Sequence, residues 1–390
     1  MSRLGVEVCL EMAAGLEAGF PDAAYTGAGA RIAADRDQLF LDADVIVQVR
    51  ACAASADYGR ADMQRLREGQ ILIAQCEPLS DPEEMLALAD RKAVVFALEL
   101  VPRITRAQSM DVLSSMATIA GYKAALLAAC ELPQMFPMLM TAAGTLKPAR
   151  VFVMGAGVAG LQAIATARRL GAVVQAYDVR PAVREQVESL GATFVEMPLE
   201  GAEGTGGYAR EMGEEFYRRQ REFTLGVVAQ SDVVITTAAI PGKQAPILVT
   251  EEMVRAMPPG SVIVDLAAER GGNCGLTEPG RTIQAHGVAI LGPLNLPSTV
   301  PNHASQMFSN NLTTFLKLLV KDGRLVLNLS DEVVSGTLLT RSGKLVHAQV
   351  RQLAGLCPLE EEEAAATAAD AAPAVEQEPP ADTYRLANGD

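Results

Sequence analysis

Short apolar runs alternate with amphipathic stretches over the first hundred residues. "VIVQV", "ILIAQC" and "AVVFALEL" have the length of buried strands, and "ADMQRLREG" and "DPEEMLALADR" carry helical spacing between them. That alternation predicts βα units on a parallel sheet. A long helical stretch follows, from about Ser109 to Ala129. A second series then runs through "ARVFVMGAG", "AVVQAYD", "DVVITTA", "SVIVDLA" and "VAILG", and after Pro301 "HASQMFSNNLTTFLKLLV" reads as another long helix. Two long helices flanking a complete set of βα units predict one domain inserted into another. The expected fold is α/β, with two doubly wound parallel-sheet (Rossmann-like) domains: residues 1–120 and 302–356 form the first, and residues 121–301 the second.

The pattern fades near the end of the chain. From Glu360 on, only Val375, Tyr384 and Leu386 are sizeable apolar side chains. So little apolar surface cannot offset the entropy of ordering, so residues 357–390 read as a disordered acidic tail or linker. The alternative is a short, fraying helix over "EEEEAAATAADAA".

Composition narrows the function. With 390 residues, 49% of them hydrophobic, the chain can bury a sizeable core. A formal net charge of −14 excludes a basic phosphate-binding surface, so no nucleic-acid partner is expected. Cys9, Cys52, Cys76, Cys130, Cys274 and Cys357 are scattered, without a CxxC pair or clustered histidines. That spacing argues against disulfide frameworks and metal sites, and for a reducing compartment. No stretch reaches the ~18 consecutive apolar residues that span a bilayer. The closest, "MATIAGYKAALLAACELPQMFPMLM", is broken by Lys123, Glu131 and two prolines. "MSRLGVEVCLEM" is too short and too acidic for a signal peptide. The expectation is a soluble chain able to dock on a membrane partner.

"ARVFVMGAGVAGLQAIATARRLGAVVQAYDVR" holds a strand, a glycine turn, a helix and a second strand in the order of a dinucleotide site. Gly155 permits the tight turn, Gly157 lets backbone approach a pyrophosphate, and Gly160 allows close helix–strand packing. The helix beginning near Val158 points its N-terminal N–H groups at the phosphates. Asp178 ends the second strand, 18 residues after Gly160, where a carboxylate accepts bonds from the adenosine ribose. A carboxylate there repels a 2′-phosphate, which favours NAD over NADP. Arg180 is open to two roles, meeting a 2′-phosphate or flanking the adenine ring. The other reading of the whole motif is a glycine turn kept for packing alone.

"PRITRAQSMDVLSSMATIAGYKA", "GAGVAGLQAIATARRLGA", "TTAAIPGKQAPILVTEEMV" and "SVIVDLAAERGGNC" closely resemble the NAD(H)-binding component of the proton-translocating nicotinamide nucleotide transhydrogenases, from about Gly5 to Val350. Alanine dehydrogenases share that fold. The resemblance implies that Arg103, Gln108, Asp111 and Ser114 hold and orient the nicotinamide end of the nucleotide. It also implies that Ser109, Met110, Gly155, Gly157, Val158, Gly160, Asp178, Val179 and Arg180 line the cofactor. The family's mobile loop matches "EGAEGTGGYAREMGEEF", where Gly207 and Tyr208 would close over the adenosine half, and Thr237 and Ala238 would line the ribose–nicotinamide side. Each has a plainer reading: Ser109 or Asp111 as a helix cap, Tyr208 as an ordinary exposed loop residue.

Alanine dehydrogenases use a Lys and a His at matching positions of the first domain. Here the Lys position falls on Gln48 or Arg50, and the His position on Glu99. His286, His303 and His347 all lie late in the chain, and His303 reads as a cap or packing residue of the returning helix. Reductive amination must move protons. Transfer of a hydride between two nicotinamides needs only proximity, at about 3–3.5 Å, and exclusion of water. The resemblance therefore implies NAD(H) on this chain, NADP(H) on a partner subunit, a homodimer, and membrane-spanning partners that couple transfer to proton translocation at the cytoplasmic face of the inner membrane. The alternatives are an alanine-dehydrogenase-like oxidoreductase and a non-catalytic NAD(H)-binding remnant. The family normally begins with one further strand and helix, so the first domain is expected to be short by about one βα unit.

Overall fold

The computed structural model describes residues 5–55, 58–197, 213–240, 242–321 and 323–362. The expectations for Gly207, Tyr208 and their loop, and for the tail beyond 362, fall outside these residues.

The chain opens with β1 (Cys9–Leu10), α1 (Asp22–Gly27) and β2 (Arg31–Ile32), which pairs in parallel with β1. Then come α2 (Arg36–Asp42), β3 (Val45–Arg50), α3 (Gly59–Arg65), β4 (Ile71–Gln75), α4 (Pro82–Ala89) and β5 (Val94–Ala97). After α5 (Val112–Glu131) a hairpin of β6 (Leu139–Thr141) and β7 (Gly144–Leu146) leads into the second series. That series comprises β8 (Arg150–Met154), α6 (Val158–Arg169), β9 (Val173–Tyr177), α7 (Arg184–Ser189), β10 (Thr193–Phe194), α8 (Glu214–Val228), β11 (Val233–Thr236), α9 (Glu251–Ala256), β12 (Val262–Asp265), β13 (Thr282–Ala285) and β14 (Val288–Leu291). α10 (Pro301–Leu319) carries the chain back to a small hairpin, β15 (Val320–Lys321) with β16 (Arg324–Leu325). Last come α11 (Glu332–Thr337), β17 (Leu338–Arg341), β18 (Lys344–Leu345) and α12 (Ala348–Leu353).

The architecture is α/β, with two sheets built mainly from parallel strands. The first runs β18-β17-β5-β4-β3; β17, contributed by the returning segment, is antiparallel to β5. The second runs β10-β9-β8-β11-β12-β14-β13, a doubly wound order with β13 antiparallel at one edge. Strand side chains alternate between faces, so each sheet separates two cores. In the first, Ile46, Leu72, Ala74 and Val95 point to one side, while Ile71, Ile73 and Phe96 meet Phe308, Leu312 and Phe315 of α10 on the other. In the second, Val151, Val153 and Ile235 face α5 and α6, and Phe152, Met154 and Ile263 face the opposite layer.

α5 is long and apolar enough to cross a membrane by length and composition alone. Its apolarity has a local use here, because it packs on α6, α10 and β12. Gly121 lies against the start of α6, where an added Cβ would overlap the Ala159 carbonyl. α5 begins at Val112 rather than near Ser109, because Asp111 makes the stronger cap and the preceding Thr105–Met110 winds as a 3-10 turn.

Candidate functional site

The glycine turn joins β8 to α6 where the strand order of the second sheet reverses. Gly155 sits at φ +101°, a conformation that L side chains rarely adopt, and its carbonyl accepts from the Thr237 hydroxyl at 3.0 Å. An added Cβ at Gly160 would overlap that same carbonyl, so the third glycine permits the helix to sit this close to the turn. At Gly157 the only atom near an added Cβ is Arg180 Nη2, at 4.0 Å. Gly157 caps α6 without a side-chain bond, leaving the first-turn N–H groups free of a local oxygen partner from that residue. An open approach beside such donors suits an anionic diphosphate, so these residues fit a dinucleotide. Val158, the first residue of α6, is partly exposed at this edge.

Asp178 follows β9 and is nearly buried. Its Oδ2 accepts from Ala156 N at 2.7 Å, which ties the carboxylate to the glycine turn. Oδ1 accepts from the Arg180 backbone N and Nε, both at 2.9 Å, and Nη2 reaches Oδ2 at 2.9 Å. Arg180 therefore folds back on Asp178, an arrangement that neither of its two expected roles describes. Val179, between them, is partly buried and packs on the neighbouring core.

Gln108 and Ser109 lie exposed on the 3-10 turn, whereas Ala107 and Met110 are buried against the first-sheet core. Arg103 is exposed just upstream. Asp111 caps α5: Oδ1 accepts from Ser114 N at 2.9 Å and Oδ2 from Ser114 Oγ at 2.6 Å. The cap reading and the ligand reading coexist, because a carboxylate oxygen has room for a second donor and Ser114 Oγ retains acceptor capacity. Ser114 lies roughly 10 Å along α5 from Gly121 and so from the start of α6, counting 1.5 Å per residue. One helix thus joins the polar loop to the phosphate turn.

Thr237 and Ala238 follow β11 beside that turn. The Ala238 N–H donates to Asn273 Oδ1 at 3.0 Å, and Asn273 Nδ2 donates to the Ala238 and Pro246 carbonyls, each at 2.9 Å. The Ala238 N–H is thereby committed, and its share in a ligand site is contact surface. Asn273, fully buried, is held by Asp265 Oδ2 at 2.7 Å and does not stand out in the sequence. Its only local signal is the run "RGGNC".

The positions matched to the alanine dehydrogenase pair serve the scaffold. Gln48 donates to Asp62 Oδ2 at 2.7 Å, beside a two-pronged Arg36–Asp62 pair. Arg50 reaches Glu269 across the two sheets at 3.4 Å. Glu99 Oε1 accepts from Cys76 N at 2.7 Å and Glu77 N at 2.5 Å, while Oε2 is buried without a partner. Burial pushes this carboxyl up to about 7, against the amide bonds that favour its charged form. His286 pairs with Glu251, and burial lowers His347 at the start of α12. His303 lies exposed in the first turn of α10, whose cap is Val300, so it neither caps nor packs there. Among the described residues no group of His, Cys, Asp and Glu is placed to hold a metal.

Two family models cover most of the chain: the alanine dehydrogenase/PNT N-terminal domain over residues 1–120, and the corresponding C-terminal domain over residues 124–348. An NAD(P) transhydrogenase subunit alpha of Rhodospirillum rubrum is 52% identical over 349 residues, covering 88% of this chain and 91% of that protein. A crystal structure of a transhydrogenase from Sinorhizobium meliloti superposes with a TM-score of 0.78 at 47% identity, covering 88% of this chain and 92% of the other. Alanine dehydrogenase of Mycobacterium tuberculosis is 29% identical over 358 residues, covering 90% and 89%.

Proposed function

The chain belongs to the alanine dehydrogenase/PNT family, and from that premise we propose that it is the NAD(H)-binding α subunit of a proton-translocating NAD(P) transhydrogenase. The observation that carries this reading is the polar loop ahead of α5: it offers hydrogen-bonding groups for a carboxamide, and no His–Lys pair stands with it. The higher identity to the transhydrogenase subunit than to alanine dehydrogenase supports the same choice.

In this reading the first turn of α6 with Gly155, Gly157 and Val158 holds the pyrophosphate, and Asp178 takes the ribose hydroxyls. Asp111 and Ser114 pair with the nicotinamide carboxamide, with Ser109 and Met110 shaping the same wall. Arg103 and Gln108 orient the ring toward the second nucleotide, and Thr237 and Ala238 close the other side. When bound, NAD(H) supplies the carbon that gives or takes the hydride, and NADP(H) lies on a separate subunit. The chain's task is to orient and to exclude water, because no proton moves in that step. We also assign to it a homodimer, domains at 1–120 with 302–356 and at 121–301, and a peripheral place on the cytoplasmic face of the inner membrane through membrane-spanning partners.

The test is hydride transfer from NADH to an NADP analogue, with and without a purified NADP-binding partner, beside a pyruvate-plus-ammonia control. Partner-dependent transfer with a silent control is expected. Partner-independent oxidation with pyruvate would move the chain to the dehydrogenases, and silence in both arms would leave a nucleotide-binding remnant.

A further inference from the structure

Two contacts fasten the loop Thr105–Met110, and both come from the segment that returns after the second sheet. Arg106 Nη2 and Nη1 meet Asp331 Oδ1 and Oδ2 at 2.8 and 3.1 Å, a two-pronged pair more than 200 residues apart in the chain. Asn311 of α10, almost fully buried, donates from Nδ2 to the Ser109 carbonyl at 2.8 Å. Between the two fastenings lies Gln108, and Ala107 and Met110 seat the turn on the same core as Phe308 and Leu312.

We propose that Arg106, Asp331 and Asn311 are positioning residues: they touch no nucleotide and fix the loop that presents Gln108, Ser109 and, through the α5 cap, Asp111 and Ser114. The inference rests on the function proposed above. A planar guanidinium on a carboxylate fixes direction as well as distance, which a single bond would not. The Arg106 guanidinium also holds the Asp331 carboxyl below the usual carboxylate range, so the pair stays charged at neutral pH. Because Arg106 is about half exposed, the pair adds little to global stability. Its effect falls on geometry, and a displacement of about 1 Å in a reacting group can slow transfer on the order of a hundredfold.

The variants are Asp331→Asn, Arg106→Gln and Asn311→Leu in the full chain. Asp331 also caps α11, accepting from Val333 N and Val334 N, and Asn caps as well as Asp, so Asp331→Asn removes the ion pair alone. Three measurements are compared: NADH affinity, single-turnover transfer with the NADP-loaded partner, and amide hydrogen exchange over 105–110 without nucleotide. We expect transfer to slow about tenfold or more, NADH affinity to shift less than about threefold, and exchange to rise in that loop alone. Arg106→Gln combined with Asp331→Asn should be no slower than the worse single variant, since the two act as a unit. Unchanged exchange with transfer within about twofold of the parent overturns the assignment. So does a slowing that tracks a drop in melting temperature. If the parent chain itself transfers nothing, the proposed function fails first and this assignment with it.

Discussion

Asp178 shows how one side chain can serve turn and ligand together. Its carboxylate ties the glycine turn through Ala156 N and draws Arg180 onto itself. Asp178→Ala should weaken NADH binding and relax discrimination against NADPH, because the freed guanidinium then faces a 2′-phosphate without a competing anion. Titrations with both nucleotides check this, and unchanged discrimination would remove Asp178 from the ribose role. Glu99 makes a different prediction. Its carboxyl is held near 7 in the fold against an ordinary 4.5. Between those values the folded chain keeps a proton that the unfolded chain has released, so stability falls as pH rises from about 4.5 through about 7. Glu99→Gln should abolish that fall and leave the variant more stable at pH 8, by about 1–3 kcal/mol, with no advantage at pH 4. Denaturant melts at the two pH values decide it. The motif residues were legible from sequence because they are local: a glycine turn, its helix and an acid at a fixed spacing. Asn273 and Asn311 were not, because a single bond to a distant carbonyl leaves no pattern along the chain.

At the scale of elements, the apolar runs announced the strands of both sheets, since strands buried on two faces read as continuous Val, Ile and Leu. The start of α5 was displaced by three residues because a 3-10 turn precedes the cap and carries the same residue types. Where the loop before α5 is fastened depended on α10 and the cap of α11, which no local spacing encodes. The crossing of α5 on α6 rests on Gly121, where any side chain meets the Ala159 backbone. Gly121→Ala should force the helices apart and cost about 1–3 kcal/mol, the usual range for overpacking. NADH affinity should fall with it, because the phosphate turn rides on α6. Thermal melts paired with NADH titration test this, and a neutral substitution would mean that the crossing tolerates a wider spacing.

Across the whole molecule, two partly exposed ion pairs join the sheets: Arg50 with Glu269, and Arg270 with Glu77 at 3.1 Å. Pairs of that exposure contribute no more than about 1 kcal/mol each. Replacing Arg50 and Arg270 together by Gln should therefore leave the melting temperature nearly unchanged. Small-angle scattering should register a looser arrangement of the two sheets, and added salt should reproduce some of that change in the parent chain. Identical scattering curves would show that apolar contacts, such as Leu79 against Gly242, hold the sheets without them.

α5 has a metric consequence. A helix of 20 residues whose first turn carries Asp111 and Ser114 and whose middle is pinned at the phosphate turn behaves as a rigid ruler laid along the cofactor. A ruler reads length: a mononucleotide fills one end, and only the joined molecule fills both. The gain of dinucleotide over its separate halves then measures effective concentration along α5. One alanine inserted between Ser114 and Gly121 would advance the first mark by about 1.5 Å and rotate it by about 100°, erasing that gain while each half still binds.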